Sequence, residues 1–102
     1  MSTSEMLPVT FEDVEDARRL IRSFIAETPF AYSATLSQAA GAKLYLKLEN
    51  LQMTGSYKER GALNRLARLT PEEGARGVIA FSAGNHAQGV AYHAQRLGIS
   101  AT

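Results

Sequence analysis

A short uninterrupted apolar run, Val78 to Phe81, is followed at once by the small-residue turn Ser82-Ala83-Gly84 and then by a stretch of helical period. In that stretch Ala87, Val90, Ala91, Ala94 and Leu97 recur at three- and four-residue spacing, and Gly98 stands where a left-handed residue would end the helix. Four apolar residues with no polar alternation suit a strand buried on both faces, as in a parallel sheet. A strand, a tight turn and a helix in that order restrict the chain to α/β layer architectures. The turn matters for function too. At the carboxyl end of a parallel strand, free amides at a helix N-terminus favour a carboxylate or a phosphate.

The rest of the chain reads in the same terms. Residues 1–9 are polar and lead in to Thr10, which is placed as an N-cap with Glu12, Asp13, Glu15 and Asp16 in the first turns and Arg18, Arg19 and Arg22 toward the far end. Val14, Ala17, Leu20, Ile21, Phe24 and Ile25 form one apolar face, which predicts a helix over roughly 11–26, broken at Thr28-Pro29. A short extended piece and a helical turn over Thr35–Ala40, closed by Gly41, come next. Leu44, Leu46 and Leu48 alternate with polar neighbours, predicting a half-buried strand of about six residues. After a loop over Asn50–Gly55, Ser56 and Glu59 have capping-box spacing, so a helix is expected from Tyr57 with Ala62, Leu63, Leu66 and Leu69 as its stripe. Thr70 and Pro71 stop that helix and cap a short turn ended by Gly74. Ile99 to Thr102 lie where the pattern calls for another strand, so the chain reads as cut there.

With 102 residues the chain has room for one domain at most. Eleven basic against ten acidic side chains, scattered along the sequence, give no footprint for nucleic acid or an anionic membrane. No cysteine is present, which excludes disulfides and thiolate metal sites. The longest apolar run is far short of a membrane span of about 20 residues. The acidic N-terminus lacks a secretory pattern, making a cytoplasmic location the default expectation.

Two places could carry chemistry. Lys58 falls in the first turn of its helix, where the partial positive charge of the helix end and the nearby Arg60 both favour a neutral, nucleophilic amine. On position alone, the ordinary reading is a solvated lysine that loses a few tenths of a kcal/mol. The turn Ser82-Ala83-Gly84-Asn85-His86 is the second, with Gly84 free to take a positive φ; equally, Asn85 could only cap its helix, with Gln88 as partner. His86 and His93, seven apart, could share a helix face, but no carboxylate or cysteine stands at ligand spacing, so no metal site is expected. Tyr57 could pack on a flat cofactor ring or simply belong to the core. Glu49, Asn50 and Gln52 are read as satisfying loop backbone, and Arg60, Arg65 and Arg68 as a solvated face.

Taken together, LYLKLENLQMTGSYKERGALNRL at 44–66 and VIAFSAGNHAQGVAYHAQRLGI at 78–99 resemble the threonine dehydratase (threonine ammonia-lyase) and serine-threonine dehydratase family, fold type II enzymes that use pyridoxal 5'-phosphate. The resemblance extends back to Thr28-Pro29. It implies an α/β fold of open sheet layers, incomplete here, with residues 1–75 in the cofactor-binding large domain and 76–102 beginning the small one. It makes Lys58 the lysine that holds the cofactor covalently and moves the Cα proton. Asn85 becomes the partner of the cofactor's 3′ oxygen, Tyr57 the ring beside the cofactor, and Ser82, Ala83, Gly84, Asn85 and His86 the loop for the substrate carboxylate. Serine racemases carry an acid–base serine where this chain has Ala83, which favours elimination.

The implied reaction takes L-threonine, and secondarily L-serine, to 2-oxobutanoate or pyruvate and ammonia, a step of amino-acid metabolism such as isoleucine biosynthesis. A homo-oligomer is implied for the full-length form. The family's phosphate-clamping glycine loop and the serine facing the pyridine nitrogen have no counterpart here, so the 102 residues alone are expected to bind the cofactor poorly and not turn over. The alternatives are a non-catalytic module associating with a full-length relative, and a related lyase or racemase acting on serine.

Overall fold

The structure, a computed structural model, describes residues 7–102; the first six residues of the expected lead-in lie outside the described residues. Helix α1 spans Phe11–Ile21, strand β1 Phe30–Tyr32, α2 Ala34–Ala40, β2 Tyr45–Lys47, α3 Lys58–Leu66, α4 Pro71–Arg76 and α5 Asn85–Leu97, with a single 3-10 turn at Glu49–Leu51. Strands β1 and β2 pair antiparallel, Phe30 opposite Lys47 and Tyr32 opposite Tyr45. Phe30 stacks on Tyr45, ring centroids 5.4 Å apart.

Polar side chains set most helix starts. Thr10 accepts from the Asp13 amide and the Asp13 carboxylate accepts from the Thr10 amide, closing a capping box on α1. Ser33 caps α2 through the Leu36 amide, and Gly41 ends it at φ 68°. Thr70 and Glu73 form a second capping box, with Pro71 in the first turn of α4. The Thr70 amide and hydroxyl hold the exposed Glu73 carboxyl below its usual range.

The core lies where α5 crosses α3. Ala62, Leu63 and Leu66 from α3 meet Val90 and Ala94 from α5, and Ile21 of α1 is buried with them. Leu63 and Ala94 are each 1% exposed. Removing one leucine side chain from water stabilises by about 1.5–3 kcal/mol, so this crossing supplies most of the chain's cohesion. Gly89 makes the approach possible: a Cβ there would lie 3.0 Å from Glu59 Cα. Ala62, Leu63, Leu66, Val90 and Ala94 of the expected stripes are thus buried, whereas Leu69 lies past the end of α3 and Ala91 and Leu97 are exposed, because α3 covers only the middle of α5.

Other expectations need correction. Helix α1 stops at Ile21 rather than continuing to residue 26, and Val14 and Phe24 of its apolar face are half exposed. Strand β2 is three residues long and open to solvent throughout, because no layer covers the sheet. The turn after Thr70 grows into a six-residue helix that passes Gly74 and ends at Gly77, φ 80°. Ser56 and Glu59 do not form a capping box, and α3 begins at Lys58 rather than Tyr57.

Val78–Phe81 is not buried on both faces. Its backbone bonds run to the last residues of the chain, from the Val78 amide to the Ser100 carbonyl at 2.8 Å and from the Ala80 amide to the Thr102 carbonyl at 2.9 Å. Val78 and Ala101 form one isolated parallel bridge, so among the described residues neither the strand expected at Val78–Phe81 nor the one expected after Gly98 is formed beyond that bridge. The side chains of Ile79 and Phe81 face solvent. Exposure of these faces leaves 7594 Å² accessible, against about 5,700 Å² for a compact protein of this mass. Helices with a small sheet agree with the α/β class expected. No helix among the described residues is long and apolar enough to cross a membrane.

Candidate active site

Lys58 opens α3, and its amide donates to the buried Ser56 hydroxyl at 3.0 Å. This short turn replaces the expected capping box. The Lys58 side chain is exposed, with Nζ 5.6 Å from the centroid of the Tyr57 ring, itself 62% exposed. A cation at that distance over an aromatic face is weakly attracted. Among the described residues the Lys58 side-chain nitrogen has no hydrogen-bond partner and is open to solvent.

Arg60 is no part of a solvated face. Its guanidinium pairs with Glu49, whose carboxylate also accepts from Thr28 Oγ1 at 2.5 Å and Gln52 Nε2 at 3.1 Å. Arg60, then Thr28 and Gln52, outweigh the cost of burial and hold the Glu49 carboxyl down at about 2. The same pairing raises Arg60 further. Gln52 bonds both the amide and the carbonyl of Ala26 at 2.9 Å, and Lys47 Nζ reaches the Thr28 carbonyl at 2.6 Å. This network fastens the segment before β1 to the turn that leads into α3. Gln52 thus satisfies loop backbone as read, whereas the Glu49 carboxylate does not: its partners are the side chains of Arg60, Thr28 and Gln52. Arg65 and Arg68 do face solvent, Arg68 pairing with Asp16 at 3.0 Å.

The turn at the head of α5 is open. Gly84, not Asn85, is the N-cap, and no side chain caps the helix, so the Asn85–Gln88 capping box is absent. Gly84 sits at φ −155°, not in the left-handed region; its amide donates to Ser82 Oγ at 3.2 Å. The first helical bond runs from the Gln88 amide to the Gly84 carbonyl, which leaves the amides of Asn85, His86 and Ala87 without acceptors among the described residues. With the Asn85 side chain exposed beside them, they form a donor set for an anion.

One contact relates the two regions. Gly89, one helical turn beyond Asn85, lies against the backbone of Glu59, the residue after Lys58. Among the described residues the side chains of Lys58 and Asn85 make no hydrogen bond to each other, and neither residue lines either of two cavities nearby. A cavity of about 500 Å³ lies between α1 and α3 beside Ile25, Lys47 and Arg60. A second of about 320 Å³ is bounded by α3, Val78–Ala80, Val90 and His86, the one member of the candidate turn found there.

His93 does not share a surface with the exposed His86; it is fully buried, with Nε2 2.9 Å from Glu59 Oε2. No cluster of metal-binding side chains occurs among the described residues. Reading the sequence missed the Glu59–His93 pair. The signal was present, because Glu59 continues the Ala62, Leu63, Leu66 stripe by one turn and His93 lies at helical spacing from Val90 and Leu97.

The family model described as pyridoxal-phosphate dependent enzyme matches residues 21–102. An L-threonine ammonia-lyase of Thermotoga maritima is 54% identical over 94 residues, 92% of this chain and 23% of that protein. A catabolic L-threonine dehydratase of Staphylococcus aureus is 52% identical over 95 residues, 92% and 28% of the two lengths. The chain thus spans about a quarter of the curated relatives it matches. Among solved structures, a threonine deaminase of T.th. superposes with a TM-score of 0.79 at 44% identity over 92% of this chain and 33% of that one. A serine racemase of Dictyostelium discoideum superposes at 0.85 with 40% identity over 91% and 30%.

Proposed function

The chain belongs to the family of pyridoxal-phosphate dependent enzymes, and from that premise we propose that it serves the deaminating dehydration of L-threonine to 2-oxobutanoate and ammonia, with L-serine as a secondary substrate. The observation that carries this reading is the pairing of two segments across one helix crossing: Lys58 at the head of α3, and the uncapped Ser82–His86 turn at the head of α5. The 54% identity to an L-threonine ammonia-lyase spans both.

The donor set suits the cofactor. A primary amine without a partner matches an aldehyde, and three open amides beside an amide side chain match anionic oxygen. Bound there, pyridoxal phosphate supplies an electron sink for the charge left at Cα. Lys58 would anchor it and, once the amino acid takes its place and frees its amine, would act as the base that takes the Cα proton. The Asn85 side chain would donate to the cofactor's 3′ oxygen. Open amides in the Ser82–His86 turn fix the substrate carboxylate and with it the direction of the Cα–H bond. Tyr57 provides a ring beside the cofactor. Residues 1–75 belong in this reading to the cofactor-binding domain and 76–102 to the small domain, within a cytoplasmic homo-oligomer.

A second reading, a racemase acting on serine, is favoured by the backbone likeness to a serine racemase. Ala83 speaks against it, since a methyl group cannot exchange a proton on the far face of the substrate. The experiment is to supply the protein, as the cell makes it, with pyridoxal phosphate and either amino acid. Release of 2-oxobutanoate from L-threonine, lost in Lys58→Ala, is the expected result. D-serine as the main product would replace the first reading by the second, and inertness toward both amino acids would leave the chain a non-catalytic module.

A further inference from the structure

Glu59 and His93 are both 0% exposed, and no step proposed above uses them. A buried carboxylate persists only where donors compensate it, so its donors reveal what it holds. Oε1 accepts from the Thr54 amide at 2.9 Å and from the Thr54 hydroxyl at 3.1 Å, while Oε2 faces His93 Nε2 at 2.9 Å. His93 Nδ1 lies 3.5 Å from Arg96 Nε, which can only donate. This arrangement assigns the proton to Nε2 and makes His93 the donor to Glu59. No buried side-chain polar atom among the described residues is left unpartnered.

The positions give the pair its meaning. Thr54 precedes Lys58 by four residues and Glu59 follows it directly, so one carboxylate clamps the chain on both sides of the lysine. Through His93 that clamp is fixed to α5, one turn beyond Gly89, and α5 carries the Ser82–His86 turn at its head. We infer that Glu59 and His93 are a positioning pair that sets the Lys58 amine relative to the carboxylate-binding turn. This role rests on the reading of Lys58 and Ser82–His86 given above. Neither residue touches the reacting atoms; the pair acts through the backbone it holds.

The test uses the three lysines, Lys43, Lys47 and Lys58, as internal controls for one another. The protein is treated with pyridoxal phosphate, reduced with borohydride and mapped by peptide mass, and the ratio of label on Lys58 to label on the exposed Lys43 is compared among variants. Hydrogen exchange at the Thr54 amide is measured in parallel, without cofactor. Glu59→Ala should lower the labelling ratio at least tenfold and speed Thr54 exchange at least tenfold. Glu59→Gln should keep both within about twofold, because its carbonyl oxygen still accepts from Thr54 and its amide donates to His93 Nε2 once the ring proton moves to Nδ1, which gives up only the long 3.5 Å contact to the exposed Arg96, whose guanidinium turns to solvent. Should Glu59→Ala fail to fold, His93→Leu serves, leaving Thr54 protected while the ratio falls. A ratio unchanged in folded Glu59→Ala or His93→Leu overturns the positioning role. A ratio near one in the unmodified protein is a different result: it removes the cofactor reading of Lys58, and the positioning role with it.

Discussion

At the α3–α5 crossing, Leu63 and His93 are 1% and 0% exposed, whereas Ile79 and Phe81, in the adjoining 78–81 segment, are 86% and 105% exposed. Both segments are as apolar as a core requires. They differ in what faces them. The α3 stripe meets a second helix whose glycine allows backbone contact, while the 78–81 segment is held by amide-to-carbonyl bonds to Ser100 and Thr102 with the Ile79 and Phe81 side chains left uncovered. An apolar run records a capacity for burial, and burial itself needs an opposing surface. The cohesive part of this chain is therefore the crossing, which is also where the residues proposed to act are anchored.

Four measurements can break or sharpen that contrast. Leu63→Ala should destabilise by about 3 kcal/mol in urea unfolding, since the crossing has no loose neighbour to fill the cavity. Acid should cost about 2 kcal/mol through Glu49. Its folded value, about 2, lies below the ordinary 4.5, so the stabilisation is complete above pH 4.5 and disappears as pH falls toward 2. Because Arg60 is 34% exposed, that figure is set below the full shift. Arg60→Gln should flatten this part of the pH–stability curve. Gly89→Ala should cost about 1 kcal/mol even though alanine is the better helix former, because the obstacle is the Glu59 backbone. Phe81→Ser should change stability by less than about 0.5 kcal/mol. A loss as large as that of Leu63→Ala would mean the 78–81 segment is covered after all, and the contrast between the two regions would fail.

Much of this arrangement was legible in the sequence. Thr10, Gly41, Thr70 and Gly98 mark helix ends because capping is decided by one or two local side chains. The buried residues of the α3 and α5 stripes were equally plain. The extent of α1 and β2 was overestimated, since Phe24 and Leu48 fit a periodic pattern whether or not another layer meets them. Ser56 and Glu59 had the spacing of a capping box, yet Glu59 is drawn instead to Thr54 and to a histidine 34 residues away. Such long-range partners leave no trace in local spacing. A polar residue on an apolar stripe was the available sign, and it occurs on both helices. At the candidate site, motif and resemblance located Lys58 and the Ser82–His86 turn; the open amides after Gly84 and the tie through Glu59 required coordinates.

The central claim, that Lys58 is the cofactor lysine, is tested most directly by where pyridoxal phosphate attaches. After borohydride reduction and peptide mapping, the account predicts label concentrated on Lys58, with Lys43 and Lys47 minor. Label spread evenly over the three lysines, or absent from Lys58, would contradict it.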